Sequence, residues 1–139
     1  MITVLTNGCF DCFHYGHLVY LQKARALGDR LVVGLTMDAY VNKGPGRPVF
    51  PFAQRMGIVA ALRCVDGVWA VSSGLQAIEL VRPDIYVKGK DWADKNIPEE
   101  AIMEKMGGKV VYLDTMLYSS TEILEGKLLE RIRAARESR

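Results

Sequence analysis

Short, almost entirely apolar runs alternate along this chain with longer stretches in which apolar residues recur at helical spacing. Runs of this kind, without strict apolar–polar alternation, are typical of strands in a parallel sheet that is covered on both faces. The pattern predicts strands at residues 2–6, 30–36, 68–71, 84–88 and 109–113. It predicts helices at residues 15–27, 51–62, 75–81, 98–106 and 121–135.

Alternating strands and helices with short connections indicate an α/β fold. We expect a Rossmann-like, doubly wound parallel sheet of five strands in three layers, with helices on both faces. The length of 139 residues is that of one domain, so we expect a single domain over 1–139. The basic stretch 131–139 is expected to fray.

In an open parallel sheet, ligands bind beyond the carboxyl ends of the strands, where the strand order reverses. Four predicted loops follow strands at that edge, and each contains glycine or polar residues suited to a ligand. These loops are residues 7–14, 36–48, 89–97 and 114–120. Their coincidence predicts one binding site at this edge of the sheet.

Composition restricts the classes of partner. The formal net charge is only +2, which gives no electrostatic support to nucleic-acid binding but leaves small anionic ligands open. No apolar run approaches the roughly 20 residues of a membrane helix, and no signal peptide is evident, so we expect no membrane partner. The 3 cysteines form no disulfide framework, which favours a reducing cytoplasm.

The first loop and the helix after it hold the residues best suited to phosphate chemistry. A helix start offers free N–H groups and the positive end of the helix dipole. His14 and His17, three residues apart, would lie on one side of that helix. Gly8 lets the backbone approach a ligand, and Asp11 can cap or orient the turn. No dinucleotide or P-loop glycine pattern is present, so the sequence predicts histidine-assisted chemistry on a nucleoside triphosphate.

The same segment allows a different interpretation. Cys9, Cys12, His14 and His17 offer four ligands that could hold zinc, or the two cysteines could form a redox pair. All four lie within nine residues, much closer together than the separated ligand pairs of zinc modules. A redox pair would also open the helix itself, where the histidines stand instead.

The second loop carries Lys43 and Arg47 among glycines and prolines. Such a loop could close over phosphates and neutralise them, although a solvated surface loop explains the same residues. Asp38 opens this loop. Arg55 and Arg63 on the next predicted helix could add anion contacts, and Arg63 could equally stabilise the helix C-terminus.

The third loop contains residues suited to a nucleoside. Gly89 permits close backbone approach to a base or ribose, Asp91 can accept hydrogen bonds from hydroxyls or amines, and Trp92 can stack. Lys88 precedes them at the end of the strand. The alternative is a turn with an aromatic residue packed on the surface.

The fourth loop ends in Ser119, Ser120 and Thr121. Hydroxyls and free N–H groups at a helix start could hold a second phosphate. Ordinary N-capping of the last helix explains the same residues.

Residues 7–17 carry the letters N-G-C-F-D-C-F-H-Y-G-H. This run resembles the G-x-F-D-x-x-H-x-G-H signature of the cytidylyltransferase-like nucleotidyltransferases. The segment at 119–121 resembles the second signature of that family, and Lys43 lies where the family keeps a lysine. The resemblance extends over nearly the whole chain in the same order.

The resemblance implies a reaction and a set of roles. A phosphate oxygen of the acceptor attacks the α-phosphorus of a nucleoside triphosphate, ATP or CTP, and pyrophosphate leaves. His14, His17 and Lys43 are then the catalytic residues. The expected nucleotide-binding residues are Asn7, Gly8, Cys9, Phe10, Gly16, Gly89, Asp91, Ser119, Ser120 and Thr121. The expected acceptor-binding residues are Asp11, Asp38, Arg47, Arg55, Arg63, Lys88 and Trp92.

The resemblance also implies Mg²⁺ held through the phosphates, without direct protein ligands, and a homodimer. Among members of the family, the chain looks most like adenylyltransferase domains that act on heptose 1-phosphate. Glycerol-3-phosphate cytidylyltransferases are the alternative, and a different small phosphate or phosphonate acceptor remains open. A non-catalytic nucleotide- or zinc-binding module is the alternative from another class. The chain is either a stand-alone enzyme or a domain of a fusion.

Overall fold

A computed structural model of the protein describes residues 1–114 and 126–137. Ser119, Ser120 and Thr121, with nearly all of the predicted fourth loop, lie outside these residues. None of the helices in the described part is both long and apolar enough to cross a bilayer.

Strands and helices alternate through the described residues as the sequence predicts. The strands are β1 (Thr3–Gly8), β2 (Arg30–Thr36), β3 (Gly67–Val71), β4 (Ile85–Gly89) and β5 (Lys109–Leu113). The helices are α1 (Tyr15–Arg25), α2 (Phe52–Ala60), α3 (Gly74–Val81), α4 (Pro98–Lys105) and α5 (Lys127–Glu137). Short 3₁₀ turns lie at Asp38–Tyr40 and Lys90–Trp92. The bounds of β2 and β5 coincide with the predicted ones, and the other strands differ by one or two residues.

All neighbouring strands of the sheet are parallel, in the order β3-β2-β1-β4-β5. β1 lies at the centre, where Leu5 pairs with Val32 on one side and Tyr86 on the other. The chain winds outward through β2 and β3, then crosses to β4 and β5. The order therefore reverses between β1 and β4, which confirms the doubly wound fold and places a crevice at their carboxyl ends.

Two apolar cores cover the two faces of the sheet. Val4 of β1 faces a core that includes Leu21 of α1 and Val59 of α2. Its neighbour Leu5 faces the opposite core, with Ile78 of α3 and Met103 of α4. Because successive strand residues are buried on opposite faces, the central strands are apolar throughout, as the sequence pattern indicates.

The carboxyl-terminal helix differs from its prediction in two ways. Gly126 has a φ of 77°, a left-handed conformation that interrupts a helix, so no single helix runs from 121 to 135. α5 instead begins at Lys127 and continues to Glu137. Residues 131–137 of the stretch that was expected to fray are helical here, and their alanine, arginine and glutamate residues are good helix formers.

Candidate active site

A cleft of about 540 Å³ opens beside the carboxyl ends of β1, β4 and β5. It lies at the reversal of strand order, where the sequence places the site. The first loop and α1 contribute Asn7, Gly8, Cys9, Phe10, His17 and Tyr20 to its lining. The other lining residues are Lys43, Lys88, Gly89, Lys90, Asp91, Trp92, Leu113 and Asp114.

Two imidazoles cap the first turn of α1. His14 is the N-cap residue, with φ −138° and ψ 177°, and its Nδ1 accepts a hydrogen bond from the Gly16 N–H at 3.0 Å. In return, Nδ1 of His17 accepts from the His14 N–H at 3.2 Å. This is the arrangement of a capping box, built here from two histidines. The rings stack with centroids 3.9 Å apart.

These hydrogen bonds fix where each imidazole carries its proton. A nitrogen that accepts from an N–H is unprotonated, so in both neutral rings the proton sits on Nε2. Burial is the main cause that lowers the pKa of His17 to about 3, and the nearby His14 and Lys43 contribute in the same direction. Burial also lowers the pKa of His14. Both side chains are therefore uncharged donors near neutral pH.

One of these donors lacks an acceptor. Nε2 of His14 is buried and has no hydrogen-bond partner among the described residues. A buried polar group without a partner costs about 1–3 kcal/mol. An oxygen of a bound phosphate would satisfy it, so the pair is arranged to donate to an anion.

Aromatic packing holds the rings in place. The Phe10 ring meets His17 edge-on at 5.4 Å between centroids, and Phe13 lies 5.2 Å from the same ring. Phe10 and Cys12 have φ values of 49° and 52°, left-handed conformations that non-glycine residues adopt at a cost of about 1–3 kcal/mol. The first loop is thus a tight, strained turn fixed by its packing.

The opposite wall of the cleft comes from β4 and the 3₁₀ turn after it. Lys88 Nζ lies 4.9 Å from the centre of the Trp92 ring, and Lys95 Nζ approaches the same ring at 5.1 Å. Burial lowers the pKa of Lys88. A Cβ at Gly89 would come within 2.7 Å of Asp91 Oδ1, so this glycine makes room for the Asp91 carboxylate.

Tyr20 and Lys90 also line the cleft, although sequence reasoning did not select them. The Tyr20 hydroxyl forms hydrogen bonds with Thr6 Oγ1 at 2.8 Å and with the Val87 carbonyl at 3.2 Å. Burial raises its pKa to about 12. Tyr20 is three residues after His17, so helical spacing could have identified it. Lys90 lies between two selected residues of the third loop.

Two expected acceptor-binding residues are buried and used internally. Asp11 is completely buried, and its carboxylate accepts hydrogen bonds from Arg47, Val49 and Phe50. Burial would raise the pKa of Asp11, but these hydrogen bonds outweigh it and hold the pKa below its usual value. Arg55 is only 1% exposed. Both side chains are thus engaged inside the protein, and their assignment to acceptor binding stays a prediction.

The partners of these two residues are also engaged. Arg47 pairs with Asp11, its Nε 3.0 Å from Oδ2. Asp38 pairs with Arg55, with 2.6 Å between Oδ1 and the guanidinium. The Asp38 side chain is nevertheless 48% exposed, and the expected role of both residues in acceptor binding stays a prediction.

Arg63 is not among the residues that line the cleft. α2 begins after β2 at the carboxyl edge and returns across the face of the sheet. Three residues after Arg63, the Asp66 N–H donates to the carbonyl of Leu31 near the start of β2. This residue is thus near the amino-terminal edge, opposite the cleft, and the sequence spacing alone did not reveal that direction.

Gly16 and Asn7 serve the site indirectly. Gly16 is buried in the first turn of α1, and its N–H donates to His14. Asn7 lines the cleft, but its side-chain oxygen accepts from the Tyr86 hydroxyl at 2.7 Å. Ser119, Ser120 and Thr121 were expected to complete the nucleotide site and lie outside the described residues.

A second, smaller cavity of about 310 Å³ lies next to His14. It is largely apolar. Its lining consists of Phe10, Cys12, Phe13, His14, Phe50, Arg55 and Ile58. Phe10 lines both cavities, so the first loop and its histidines separate them.

The zinc alternative does not match the geometry. The Nδ1 atoms of both histidines accept backbone N–H groups, and burial raises the pKa of the Cys9 and Cys12 thiols. A zinc ligand must be a thiolate or a free imidazole nitrogen. Through residues 1–114 and 126–137, no group of three or more potential ligands is placed to hold a metal ion.

Comparison with known proteins decides the family. Residues 5–126 match the sequence profile of the family described as Cytidylyltransferase-like. The chain belongs to this family of nucleotidyltransferases. This match confirms the resemblance that the run containing His14 and His17 carries in the sequence.

Relatives of this cytidylyltransferase-like chain include much longer proteins. It is 43% identical over 132 residues to the Bifunctional protein HldE of Syntrophotalea carbinolica, covering 92% of this chain and 27% of that protein. It is 42% identical over 132 residues to the protein of the same name from Pseudomonas aeruginosa strain LESB58, covering 92% and 28%. The chain spans about a quarter of the length of these relatives.

Solved structures share the fold. The crystal structure of the lipopolysaccharide core biosynthesis protein from Thermoplasma volcanium GSS1 superposes with a TM-score of 0.68 at 28% identity, covering 86% of this chain and 99% of that one. A protein with unknown function from Archaeoglobus fulgidus gives a TM-score of 0.63 at 21% identity. The second likeness is one of fold alone.

The buried neutral state of His17 predicts a pH dependence of stability. Its pKa is about 3 in the folded protein and near 6.5 when unfolded, so the unfolded chain binds the proton first as pH falls. The contribution of the neutral His17 ring to stability is fully present above pH 6.5, and it is lost progressively as pH falls towards 3. Urea titrations between pH 6.5 and 5 should show the free energy of unfolding decreasing, by up to about 1.4 kcal/mol per pH unit for this group.

A His17→Asn variant is the control for this dependence, because the asparagine oxygen can still accept the His14 N–H. Its stability should fall less steeply over the same interval. Equal slopes in the two proteins would contradict a buried, neutral His17.

Proposed function

We propose that this chain transfers a nucleoside monophosphate from a nucleoside triphosphate to the phosphate of a small acceptor, with release of pyrophosphate. The leading form is adenylyl transfer from ATP to a heptose 1-phosphate. The observation that carries the reaction type is the buried, unpartnered Nε2–H of His14, stacked on a second neutral imidazole at a helix start. The relatives that carry the name Bifunctional protein HldE support this acceptor.

The reaction is a single displacement at phosphorus. An oxygen of the acceptor phosphate forms a bond to the α-phosphorus as the bond from that phosphorus to the bridging β-oxygen breaks. Pyrophosphate leaves with the bonding electrons, and no bond to the enzyme forms. Such a transfer is accelerated mainly by positioning and by stabilisation of the growing negative charge.

The described residues divide this task between donors and cations. Nε2–H groups of His14 and His17 donate to phosphate oxygens without adding a net charge. Lys43, Lys88 and Lys90 bring positive charge around the cleft. The start of α1 adds the positive end of a helix dipole, which favours an anion at this place.

Trp92, Asp91 and Gly89 are placed for the nucleoside. Trp92 is exposed at the rim and offers a face for stacking, and Asp91 can accept hydrogen bonds from hydroxyl or amino groups. They line the same cleft as His17 and Lys43. A single nucleotide could therefore contact both walls.

Mg²⁺ is part of this proposal, held through the phosphates. The cleft fits it: the carboxylates of Asp91 and Asp114 are among its lining residues, and Mg²⁺ commonly uses one or two carboxylates together with substrate phosphates. When bound, the ion neutralises phosphate charge and favours departure of pyrophosphate.

A second candidate is cytidylyl transfer from CTP to glycerol 3-phosphate or a similar small phosphate or phosphonate. The Asp91-Trp92 pair and the segment 63–66, which resemble glycerol-3-phosphate cytidylyltransferases, favour it. Of these, Arg63 lies away from the cleft, so only Asp91 and Trp92 bear on the substrate.

A substrate panel tests the proposed reaction. Purified protein with Mg²⁺ and each of the four nucleoside triphosphates should release pyrophosphate only when a phosphorylated acceptor is present. We expect the highest kcat/KM with ATP and a heptose 1-phosphate, and mass spectrometry should find the nucleotide joined to the acceptor phosphate. Preference for CTP with glycerol 3-phosphate would select the second candidate. Nucleotide binding without pyrophosphate release under every condition would point to a non-catalytic binding module.

His14→Asn separates the chemistry from the helix cap. The asparagine oxygen can accept the Gly16 N–H as Nδ1 does, but the variant lacks the Nε2–H donor. We expect kcat to fall by about 10²-fold or more, as for other fixed donors to a developing oxyanion, with Tm close to that of the wild type. Activity within a few fold of wild type would reject the role given to His14.

We also propose that the chain acts in the cytoplasm, as one domain over residues 1–139, and that it forms a homodimer. The three cysteines are free thiols, which fits a reducing compartment. Exposed apolar residues support the dimer: Ile58 is 46% exposed, and Phe50, which lines the same small cavity, is 41% exposed. Apolar groups exposed together commonly mark an association surface.

An Ile58→Asp variant tests this dimer. A buried, unpaired carboxylate at the interface should dissociate it, which light scattering after gel filtration would detect as a halved mass. Leu80 on α3 is 48% exposed, so Leu80→Asp is a matched control that should keep the dimer. A monomeric wild-type protein would refute the proposed assembly.

A further inference from the structure

Asp11 forms hydrogen bonds to the carboxyl-terminal end of the loop that carries Lys43. Its Oδ2 accepts hydrogen bonds from Arg47 Nε at 3.0 Å and from the Val49 N–H at 2.7 Å. Its Oδ1 accepts from the Phe50 N–H at 3.0 Å. These three bonds join the first loop to the segment 47–50, more than thirty residues away in the sequence.

Arg55 of α2 forms hydrogen bonds to the amino-terminal end of the same loop. Its guanidinium donates to Asp38 Oδ1 at 2.6 Å and to the carbonyl of Thr36, at the end of β2, at 2.9 Å. It also donates to the carbonyls of Cys9 at 2.8 Å and Phe50 at 2.9 Å. One buried guanidinium therefore holds the first loop, the end of β2 and the segment before α2 together.

The residues between these two anchors have little packing of their own. Residues 39–46 are exposed, except for the half-buried Val41. Gly44 and Gly46 have φ values of 94° and 76°, and nothing lies within 4 Å of a Cβ placed at either one. Lys43 is in this exposed part and still lines the cleft. Its position over the cleft therefore depends on where the ends of the loop are held.

The positions of His14 and His17 do not depend on the Asp11 hydrogen bonds, unlike the position of the Lys43 loop. His14 and His17 are held by their own reciprocal cap and by the rings of Phe10 and Phe13. The first loop also keeps the bond from Arg55 to the Cys9 carbonyl. Loss of the Asp11 bonds would thus release the segment 47–50 and the Lys43 loop, and leave the imidazoles in place.

We propose that Asp11 is a positioning residue that acts through Lys43: its buried carboxylate anchors the 38–47 loop so that the Lys43 ammonium is held over the cleft. The inference rests on the proposed function, in which Lys43 contacts the triphosphate. It replaces the expected contact between Asp11 and the acceptor, and it gives Arg47 a role as the side-chain partner of the same anchor.

A double-mutant cycle tests whether Asp11 acts through Lys43. Asp11→Asn replaces one acceptor oxygen with an amino group that faces N–H donors, and Lys43→Met removes the ammonium. We expect kcat/KM to fall about 10-fold and about 10²-fold respectively, the second as for other phosphate-stabilising groups. If Asp11 works through Lys43, the double variant should match Lys43→Met within about twofold. If kcat/KM of the double variant instead falls by the product of the two single losses, near 10³-fold, the proposal is overturned.

Limited proteolysis tests the anchor without any assay of activity. The bond between Lys43 and Gly44 is a trypsin site, and a loop released at one end opens more often to a protease. We expect trypsin to produce the 1–43 fragment about tenfold faster from Asp11→Asn than from wild type, as followed by intact-mass spectrometry. An unchanged rate of cleavage would overturn the anchor, whatever the activity.

Asp84→Asn is the matched control for both measurements. Asp84 Oδ2 also accepts a backbone N–H, that of Thr3 at 2.8 Å, but at the opposite edge of the sheet. This variant should change neither the cleavage at Lys43 nor kcat/KM. If it accelerates cleavage as much as Asp11→Asn does, the effect is general destabilisation and the proposal fails.

The test also covers two other outcomes, a variant that does not fold and a series without activity. If Asp11→Asn does not fold, Arg47→Met removes the charged donor from the other side of the anchor, and Arg47→Lys should partly restore wild-type behaviour in both measurements. If no protein of the series releases pyrophosphate, the proposed function fails, while the cleavage rates still decide whether Asp11 anchors the loop.

Discussion

The reciprocal hydrogen bonds between His14 and His17 at the start of α1 are the constraint on which the site depends. A helix start must satisfy free N–H groups, and here two of them are satisfied by the imidazole Nδ1 atoms. The structural need of the helix thereby dictates the chemistry, because it forces the proton of each ring onto Nε2. The site thereby obtains two fixed, uncharged donors.

Two buried charged groups organise the surroundings of this cap. Asp11 and Arg55 have almost no exposed surface, and their hydrogen bonds join loops that follow β1 and β2. A buried charge is tolerated only where its hydrogen-bonding capacity is used, and both groups meet that condition with several donors or acceptors. The carboxyl edge of the sheet is thus rigid beneath the exposed loop that brings Lys43 to the cleft.

The sequence predicts much of this arrangement. Apolar runs locate the strands because both faces of the sheet are covered, and the strand-to-helix order places His17, Lys43, Gly89 and Asp91 at one edge. It does not reveal how Asp11 and Arg55 are used inside the fold: both satisfy backbone groups, and no local pattern distinguishes that use from substrate binding. It also does not place Arg63, because the direction of α2 across the sheet depends on the fold. Tyr20 could have been predicted as a cleft residue, since it lies three residues after His17 on the same helix.

The charges of the cleft show how its two kinds of donor work together. Among the described lining residues, Lys43, Lys88 and Lys90 face the carboxylates of Asp91 and Asp114, so the net positive charge is small beside that of a triphosphate. Burial keeps the histidines neutral, and they add directional donors without adding charge. The remaining negative charge is what the proposed Mg²⁺ would neutralise. Charged imidazoles would have reduced that need, but their desolvation in this packed turn would have destabilised the fold.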